Sequence, residues 1–433
     1  MKHWESWDSE YIWHPYTQML LSPHALGVER GEGSYLYLSD GRKIFDSISS
    51  WWLTLHGHAN PIIAEAIAEQ AKKLEHVIFA GFTHEPAATL AKKIIEKAPT
   101  GLAKVFFSDD GSTAVEVALK MCVQYWQHHG EIRTTFLALD GAYHGDTFGA
   151  MSASARGTFI KPFESMLFDV IHLPFPTPPQ DNTKEFSKSE ELFLDKLRDH
   201  AKNDKHIAGF IYEPLMLGAG GMKIWRSEVM REALKIVKES GILAIADEVL
   251  TGFGRTGSFF ASDECNISPD LMTLSKGITG GFLPLGVTLA SQTIYDVFLS
   301  SDRAKTFFHG HSYTGNPIIC AAAVASLSIF ENEDVFQRIS AINEVHTERM
   351  PLLARKMEYN FRIKGTMAAM EPKNPEGYLS SKSLQLRATC LEKGLLIRPL
   401  GDTIYFLPPY STTKEDLHKA YDILEECQPF LRF

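Results

Sequence analysis

Between about residue 100 and residue 290, short apolar runs alternate with stretches of helical periodicity, and this alternation narrows the fold more than any other feature. The runs are Lys104–Phe107, Thr135–Leu139, Ile207–Tyr212, Ile242–Ala246, Leu271–Leu274 and Gly286–Ala290. Short segments that are apolar throughout read as strands buried on both faces, with the intervening helices as cover. The expected architecture is therefore α/β: a mostly parallel sheet with helices on both faces. Ahead of this core, Ser34–Leu38 and Lys43–Asp46 flank Asp40-Gly41 and predict a hairpin. Behind it come helical patterns from about Pro317 and a strand-rich tail, Leu395–Leu407. The two ends, residues 1–55 and 326–433, are expected to pack as a smaller α+β domain beside a large domain of residues 56–325. Pro174–Glu190, prolines followed by polar residues, reads as a long surface connection.

A chain of 433 residues can bury a large core, and 44% apolar with 22% charged residues is ordinary for a globular protein. The net charge of −10, with no block of Lys or Arg, argues against a nucleic-acid partner. Five scattered cysteines (122, 265, 320, 390 and 427) lack CxxC spacing, which suits buried thiols in a reducing compartment better than disulfides or zinc. MKHWESWDSEYIWHP lacks the basic and apolar regions of a signal peptide, and no apolar run approaches the roughly 18 residues of a membrane span. A cytoplasmic enzyme without a membrane partner is the expectation.

Two of the apolar runs end in charge. Ile242–Ala246 stops at Asp247-Glu248, and Leu271–Leu274 stops at Ser275-Lys276-Gly277. Strands so terminated deliver both groups to the carboxyl edge of a sheet, where ligands bind in open α/β folds. Lys276, between an apolar run and Gly277, Gly280 and Gly281, has little room to be a solvated lysine. A partly apolar site lowers an amine's pKa and favours the neutral nucleophile that forms a Schiff base. Asp247 could hold the proton of a pyridinium nitrogen, or serve only as a cap or turn aspartate. An acid and an amine are the two groups pyridoxal phosphate needs from its protein.

The segment KVFFSDDGSTAVEVALKMCVQYW supplies a candidate phosphate site. A strand enters a small polar turn, and Val115, Ala118, Leu119, Cys122 and Tyr125 then fall at helical spacing. Thr113 and Glu116 read as a capping box, leaving Gly111 and Ser112 to offer N–H groups and a hydroxyl at a positive helix end. Tyr143, beside His144 in the turn after Thr135–Leu139, could stack on a cofactor ring or pack in the core. Asp146 is a candidate for the substrate pocket. Arg398 precedes a proline, so its backbone is extended and its guanidinium could take a carboxylate bidentately or form a surface ion pair. Trp51-Trp52 reads as extended, with one ring towards a pocket and the other in the core.

Two competing motifs fail. His-Gly-His at 56–58 and 309–311 has no neighbouring carboxylate or cysteine, so no metal is expected. Gly252–Gly257 satisfies GxGxxG, but a dinucleotide fingerprint must open a helix directly, and SFFASDECNISPD has no helical periodicity. A regulator that merely senses the cofactor would carry a DNA-binding segment, and the first 60 residues suggest none.

Together, IYEP, LAIADEVLTGFGRTG and LMTLSKGITGG resemble the class III, fold-type I aminotransferases. IWHPYTQM, SSWWLTLHGH, DGSTAVEVALKM, GAYHGDTFGAMS, HGHSYTGNP and IRPLGDTIYFLPPY resemble the branch that acts on 8-amino-7-oxononanoate in biotin synthesis. These motifs span residues 11 to 410. The resemblance implies pyridoxal 5'-phosphate as cofactor, S-adenosylmethionine as amino donor, and a homodimer with shared active sites. It implies Lys276 as the Schiff-base lysine, Asp247 as the pyridinium partner, Gly111-Ser112 in the phosphate cup and Tyr143 against cofactor and substrate. Trp51 and Arg398 would bind the oxononanoate, Arg398 at its carboxylate, and Tyr16 would help recognise the donor. Gly310, His311 and Ser312 would cross a dimer interface, Gly310 towards substrate and the next two towards the neighbour's phosphate. The family usually has Gly-Pro-Thr there; Ser312 keeps the hydroxyl, while His311 loses the proline's rigidity. The alternatives are another class III aminotransferase acting on acetylornithine, 4-aminobutyrate or a diamine, or lysine as the donor.

Overall fold

Each of the six apolar runs forms a strand in the computed structural model, which describes residues 2–22, 24–179, 183–374 and 381–427. They belong to a seven-stranded sheet: β1 Leu102–Ser108, β2 Thr135–Leu139, β3 Val170–Leu173, β4 Ile207–Tyr212, β5 Leu243–Asp247, β6 Leu271–Leu274 and β7 Gly286–Ser291. The spatial order is β1-β7-β6-β5-β4-β2-β3. Every neighbouring pair is parallel except the two made by β7. β3 is the strand the sequence pattern does not announce. It is a four-residue edge strand, VIHL, only partly buried, so it shows neither a continuous apolar run nor clean alternation.

The pleat sends alternate residues to two separate cores. On one face Ile211, Leu243 and Ile245 meet Val115, Ala118, Leu119 and Cys122 of helix α1, Gly111–His128. On the other, Phe210, Tyr212, Ala244 and Ala246 meet Val229, Met230, Ala233 and Val237 of helix α2, Ser227–Glu239. Because both faces are covered, β4, β5 and β6 are buried from end to end. Polar groups therefore reach the solvent-accessible cavity only from the strand ends.

The predicted hairpin forms between Tyr35–Leu38 and Lys43–Asp46. Leu395–Leu396 adds to it in parallel, pairing Leu395 with Phe45, so the carboxyl-terminal tail completes the amino-terminal sheet. A second small sheet joins Tyr359–Lys364, Met367–Pro372 and Ile404–Phe406. The result is a mixed α/β large domain and a smaller domain assembled from both ends of the chain. The connection after Pro174 ends at Ser187, which caps helix Lys188–Asn203; residues 180–182 of it lie outside the described residues. Among the described residues no helix is long and apolar enough to cross a membrane.

Candidate active site

Adjacent strands β5 and β6 run in register, Asp247 beside Thr273, so their carboxyl ends open together. Asp247 is the last residue of β5, and Lys276 begins the short 3-10 turn Lys276–Thr279 after β6. Both line a cavity of about 680 Å³, together with Gly111, Ser112, Tyr143 and Asp146. That volume is in the range of a cofactor-sized pocket.

Burial pushes the Lys276 amine down from 10.5 to about 8; the Asp247 and Glu213 carboxylates oppose this, and the Arg255 guanidinium adds to it. Its Nζ lies 4.8 Å from the ring centre of Trp52. Asp247 is 4% exposed, and its Oδ2 accepts from Nδ1 of the buried His144 at 2.6 Å. Its Oδ1 accepts from Val249 N–H at 3.1 Å and from Thr273 Oγ1 at 3.3 Å. Asp247 is thus a turn aspartate and a cavity-facing acid at once. His144 is a site residue that sequence reasoning passes over, because a histidine one position from the more conspicuous Tyr143 carries no spacing signal. Glu213 is another: it follows directly on β4, and its carboxylate accepts from Tyr143 N–H at 3.1 Å and Gly218 N–H at 2.8 Å. Burial raises its carboxyl pKa to about 7.

At the other end of the cavity α1 points its amino terminus inwards. The expected capping box between Thr113 and Glu116 does not form. Asp110 caps the helix, accepting from Thr113 N–H at 2.8 Å while the Thr113 hydroxyl returns to the Asp110 backbone. Glu116 instead accepts from Thr147 Oγ1 at 2.6 Å and from the N–H groups of Gly149 and Ala150 at 2.6 and 3.1 Å. It therefore welds the loop after β2 to α1. Asp110 takes over because its side chain sits one residue before the helix, where a short acceptor reaches the N3 amide. Gly111 and Ser112 are left as the first helical residues, with N–H groups turned to the cavity. Gly145 has φ of +133°, and a Cβ there would lie 2.2 Å from Ser112 Oγ. A positive helix end, a buried acid and an amine whose pKa is lowered by burial, all lining one cavity, fit a phosphorylated pyridine aldehyde.

The mouth is built by an unusual turn. Ser49, Ser50, Trp51 and Trp52 all have positive φ, at 50°, 43°, 72° and 77°. The expected extended pair is therefore a left-handed turn, which costs a non-glycine residue roughly 1–2 kcal/mol per position. Several bonds hold it: Ser49 Oγ to Leu407 O (2.7 Å), Ser50 Oγ to Asp46 Oδ2 (2.7 Å) and Trp52 Nε1 to Tyr405 Oη (3.0 Å). Trp52 is buried, whereas Trp51 stays half-buried with Arg398 stacked 4.3 Å from its ring centre. The Tyr16 ring meets Trp51 edge-on at 5.6 Å, and its hydroxyl donates to Asp146. Arg398 has no carboxylate within ion-pair distance among the described residues. Tyr143, next to Tyr16 and Asp146, has its phenol pKa raised by burial and by the Asp146 charge.

Gly310, His311 and Ser312 do not line the cavity of their own chain. Gly310 and Ser312 are exposed, and His311 Nδ1 lies 3.3 Å from Asp109 Oδ2. The other tempting histidines have separate partners: His58 with Asp46 (2.8 Å) and His309 with Lys120 (2.9 Å). Gly252–Gly257 forms turns and opens no helix.

The class-III aminotransferase family model matches residues 19–427. The adenosylmethionine-8-amino-7-oxononanoate aminotransferase of Synechococcus elongatus is 47% identical over 96% of this chain and 99% of its own length. The crystal structure of the Methanocaldococcus jannaschii enzyme of the same name superposes with a TM-score of 0.92, at 36% identity over 98% of both chains. An amine transaminase from an uncultivated Pseudomonas species, solved with pyridoxal phosphate bound, gives 0.90 at 30% identity over 97% of this chain and 98% of its own. With the fold and these likenesses in agreement, the chain belongs to the class-III, pyridoxal-phosphate-dependent aminotransferases of fold type I.

Proposed function

We propose that this chain aminates 8-amino-7-oxononanoate to 7,8-diaminononanoate, with S-adenosylmethionine as donor and pyridoxal 5'-phosphate held by its own residues. The observation that carries the substrate reading is the mouth of the Lys276 cavity. There Arg398, without a carboxylate partner among the described residues, stacks on Trp51, which meets Tyr16, whose hydroxyl donates to Asp146 of the cavity lining. A guanidinium stacked on an indole and short of an anion suits an acceptor with a carboxylate at the end of an apolar chain. The relatives that share this activity in their names support the same reading.

Gly111 and Ser112 would hold the phosphate, Asp247 the ring nitrogen and Lys276 the aldehyde carbon. The cofactor supplies an electron sink for a substrate carbanion when bound. The rest falls to side chains. The neutral Nζ of Lys276 takes a proton from the donor's amine-bearing carbon and, in the second half-reaction, delivers one to C7 of the acceptor. Asp247, its Oδ2 fixed by His144, keeps a proton on the pyridine nitrogen. Trp51 and Trp52 exclude water from one side. Gly310 and Ser312, exposed in the single chain, and the partly buried His311 between them would complete the site of a second copy in a homodimer.

The test is the half-reaction spectrum. S-adenosylmethionine should bleach the visible band of the cofactor-loaded protein, and 8-amino-7-oxononanoate should restore it. Bleaching by lysine instead would reassign the donor. Bleaching by acetylornithine, 4-aminobutyrate or a diamine, with no recovery on the oxononanoate, would refute the proposal.

A further inference from the structure

The five cysteines are scattered along the sequence, but folding brings two of them together. Cys390 lies in helix Ser381–Glu392, and Cys427 caps the carboxyl end of helix Lys414–Glu426. Both are buried, and their sulfurs stand 3.6 Å apart, with Cys390 donating its S–H to Cys427. Cys122, Cys265 and Cys320 are buried free thiols with no second sulfur beside them among the described residues. Next to the pair, Lys393 Nζ donates to Glu426 Oε2 at 2.7 Å, linking the ends of the same two helices with side chains 40% and 62% exposed. The two thiols are electrically unequal. The hydrogen bond from Cys390 holds the Cys427 thiol below its ordinary pKa, the Lys393 ammonium adding to this against the effect of burial. The same bond, with burial, pushes the Cys390 thiol up.

We propose that Cys390 and Cys427 are a modification site, a thiol pair that hydrogen peroxide converts to a reversible disulfide stapling the last described helix to the one ahead of Arg398. One thiol supplies the thiolate that meets the oxidant, and its neighbour resolves the product. The Cys427 thiolate attacks a peroxide oxygen, the O–O bond breaks, and the departing hydroxide takes up the thiol's proton as water. Cys427 is then a sulfenic acid. The Cys390 sulfur attacks it, the S–S bond forms as the S–O bond breaks, and the second hydroxide leaves as water with the Cys390 proton. Two thiols have lost two electrons and two protons, and one peroxide has become two waters. Closing 3.6 Å to the bond length of about 2.05 Å takes roughly 1.5 Å of travel, which the end of a helix can supply. The ring so closed contains Arg398 and strand Ile404–Phe406. Closing it restricts the unfolded chain, so the disulfide stabilises the fold.

The test treats the full-length, cofactor-loaded protein with hydrogen peroxide, unfolds it in excess alkylating reagent, and maps its tryptic peptides without reductant. The peptides holding Cys390 and Cys427 should appear linked, lighter than their sum by two hydrogens and separable by dithiothreitol. Cys122, Cys265 and Cys320 should be recovered alkylated. In Cys390→Ala the sulfenic acid should persist on Cys427, where dimedone captures it, whereas Cys427→Ala should leave Cys390 a thiol. The peroxide-treated wild type should melt above the same sample after dithiothreitol, a comparison that methionine oxidation does not disturb because dithiothreitol leaves the sulfoxide in place. Both thiols recovered alkylated, a link to any other cysteine, or equal melting temperatures overturns the assignment. Should either variant not fold, the wild-type map and melting temperatures decide alone. No reading uses a substrate, so a wrong acceptor leaves the outcome unaffected.

Discussion

Replacing Gly145 by alanine should cripple the anion end of the site. The backbone there has φ of +133°, and a Cβ would sit 2.2 Å from Ser112 Oγ, 2.5 Å from its Cβ and 2.8 Å from its Cα. The hydroxyl could rotate away, but the Cα belongs to the first turn of α1 and could not. The sparsely allowed backbone costs about 1–3 kcal/mol, and overpacking adds about 1–3 kcal/mol. The cheapest relief is to push Ser112 and its N–H out of line, which spends the loss on phosphate affinity. If about 2 kcal/mol appears there, pyridoxal phosphate binds roughly 30-fold more weakly. Gly33→Ala is the control, with φ of +56° and nothing within 4 Å of the added carbon. It should lower the melting temperature without changing cofactor affinity. Equilibrium binding of pyridoxal phosphate to each apoenzyme, followed by absorbance, measures both. Affinity in Gly145→Ala within about threefold of wild type, or an equal loss in Gly33→Ala, would refute the reasoning.

Arg398→Ala should reduce kcat/KM for the carboxylate-bearing acceptor about 10- to 100-fold, the worth of one charged hydrogen-bonded contact. Stopped-flow half-reactions should show the donor step nearly unchanged, and equal losses in both would remove Arg398 from the acceptor site. Lys276→Met should abolish turnover and also reveal the buried amine in stability. Burial lowers the Lys276 pKa from 10.5 to about 8, so between those values the unfolded chain keeps a proton that the folded chain has released. Wild-type apoenzyme stability therefore gains with pH across that window, and below about pH 8 the buried ammonium is a cost. The melting temperature of Lys276→Met should exceed wild type most near pH 7, the gap closing towards pH 10. A gap independent of pH would refute the depressed pKa.

The central sheet was legible because its strands are buried on both faces, which writes an unbroken apolar run into β4, β5 and β6. β3 escaped for the opposite reason, as a short, partly exposed edge strand with a histidine inside it. The direction of β7 was also illegible, since an antiparallel strand with both faces covered has the same composition as a parallel one. In the site, Asp247 and Lys276 stood out as charges that abruptly end apolar runs. Glu116 misled: its spacing from Thr113 satisfies a capping box, yet Asp110 held the closer position and Glu116 was free to cap the helix Phe148–Ala153 instead.

By itself the sequence determined the chemistry, because pyridoxal phosphate demands an acid and an amine at neighbouring strand ends and local patterns reveal strand ends. Tertiary structure alone decided how those groups are held. His144 pairs with Asp247 across 103 residues, Arg255 reaches Trp52 across 203, and Arg398 meets Trp51 from the far end of the chain. No local propensity favours four left-handed residues at Ser49–Trp52. That conformation exists because contacts distant in sequence offset its strain, and such contacts leave no periodicity to read.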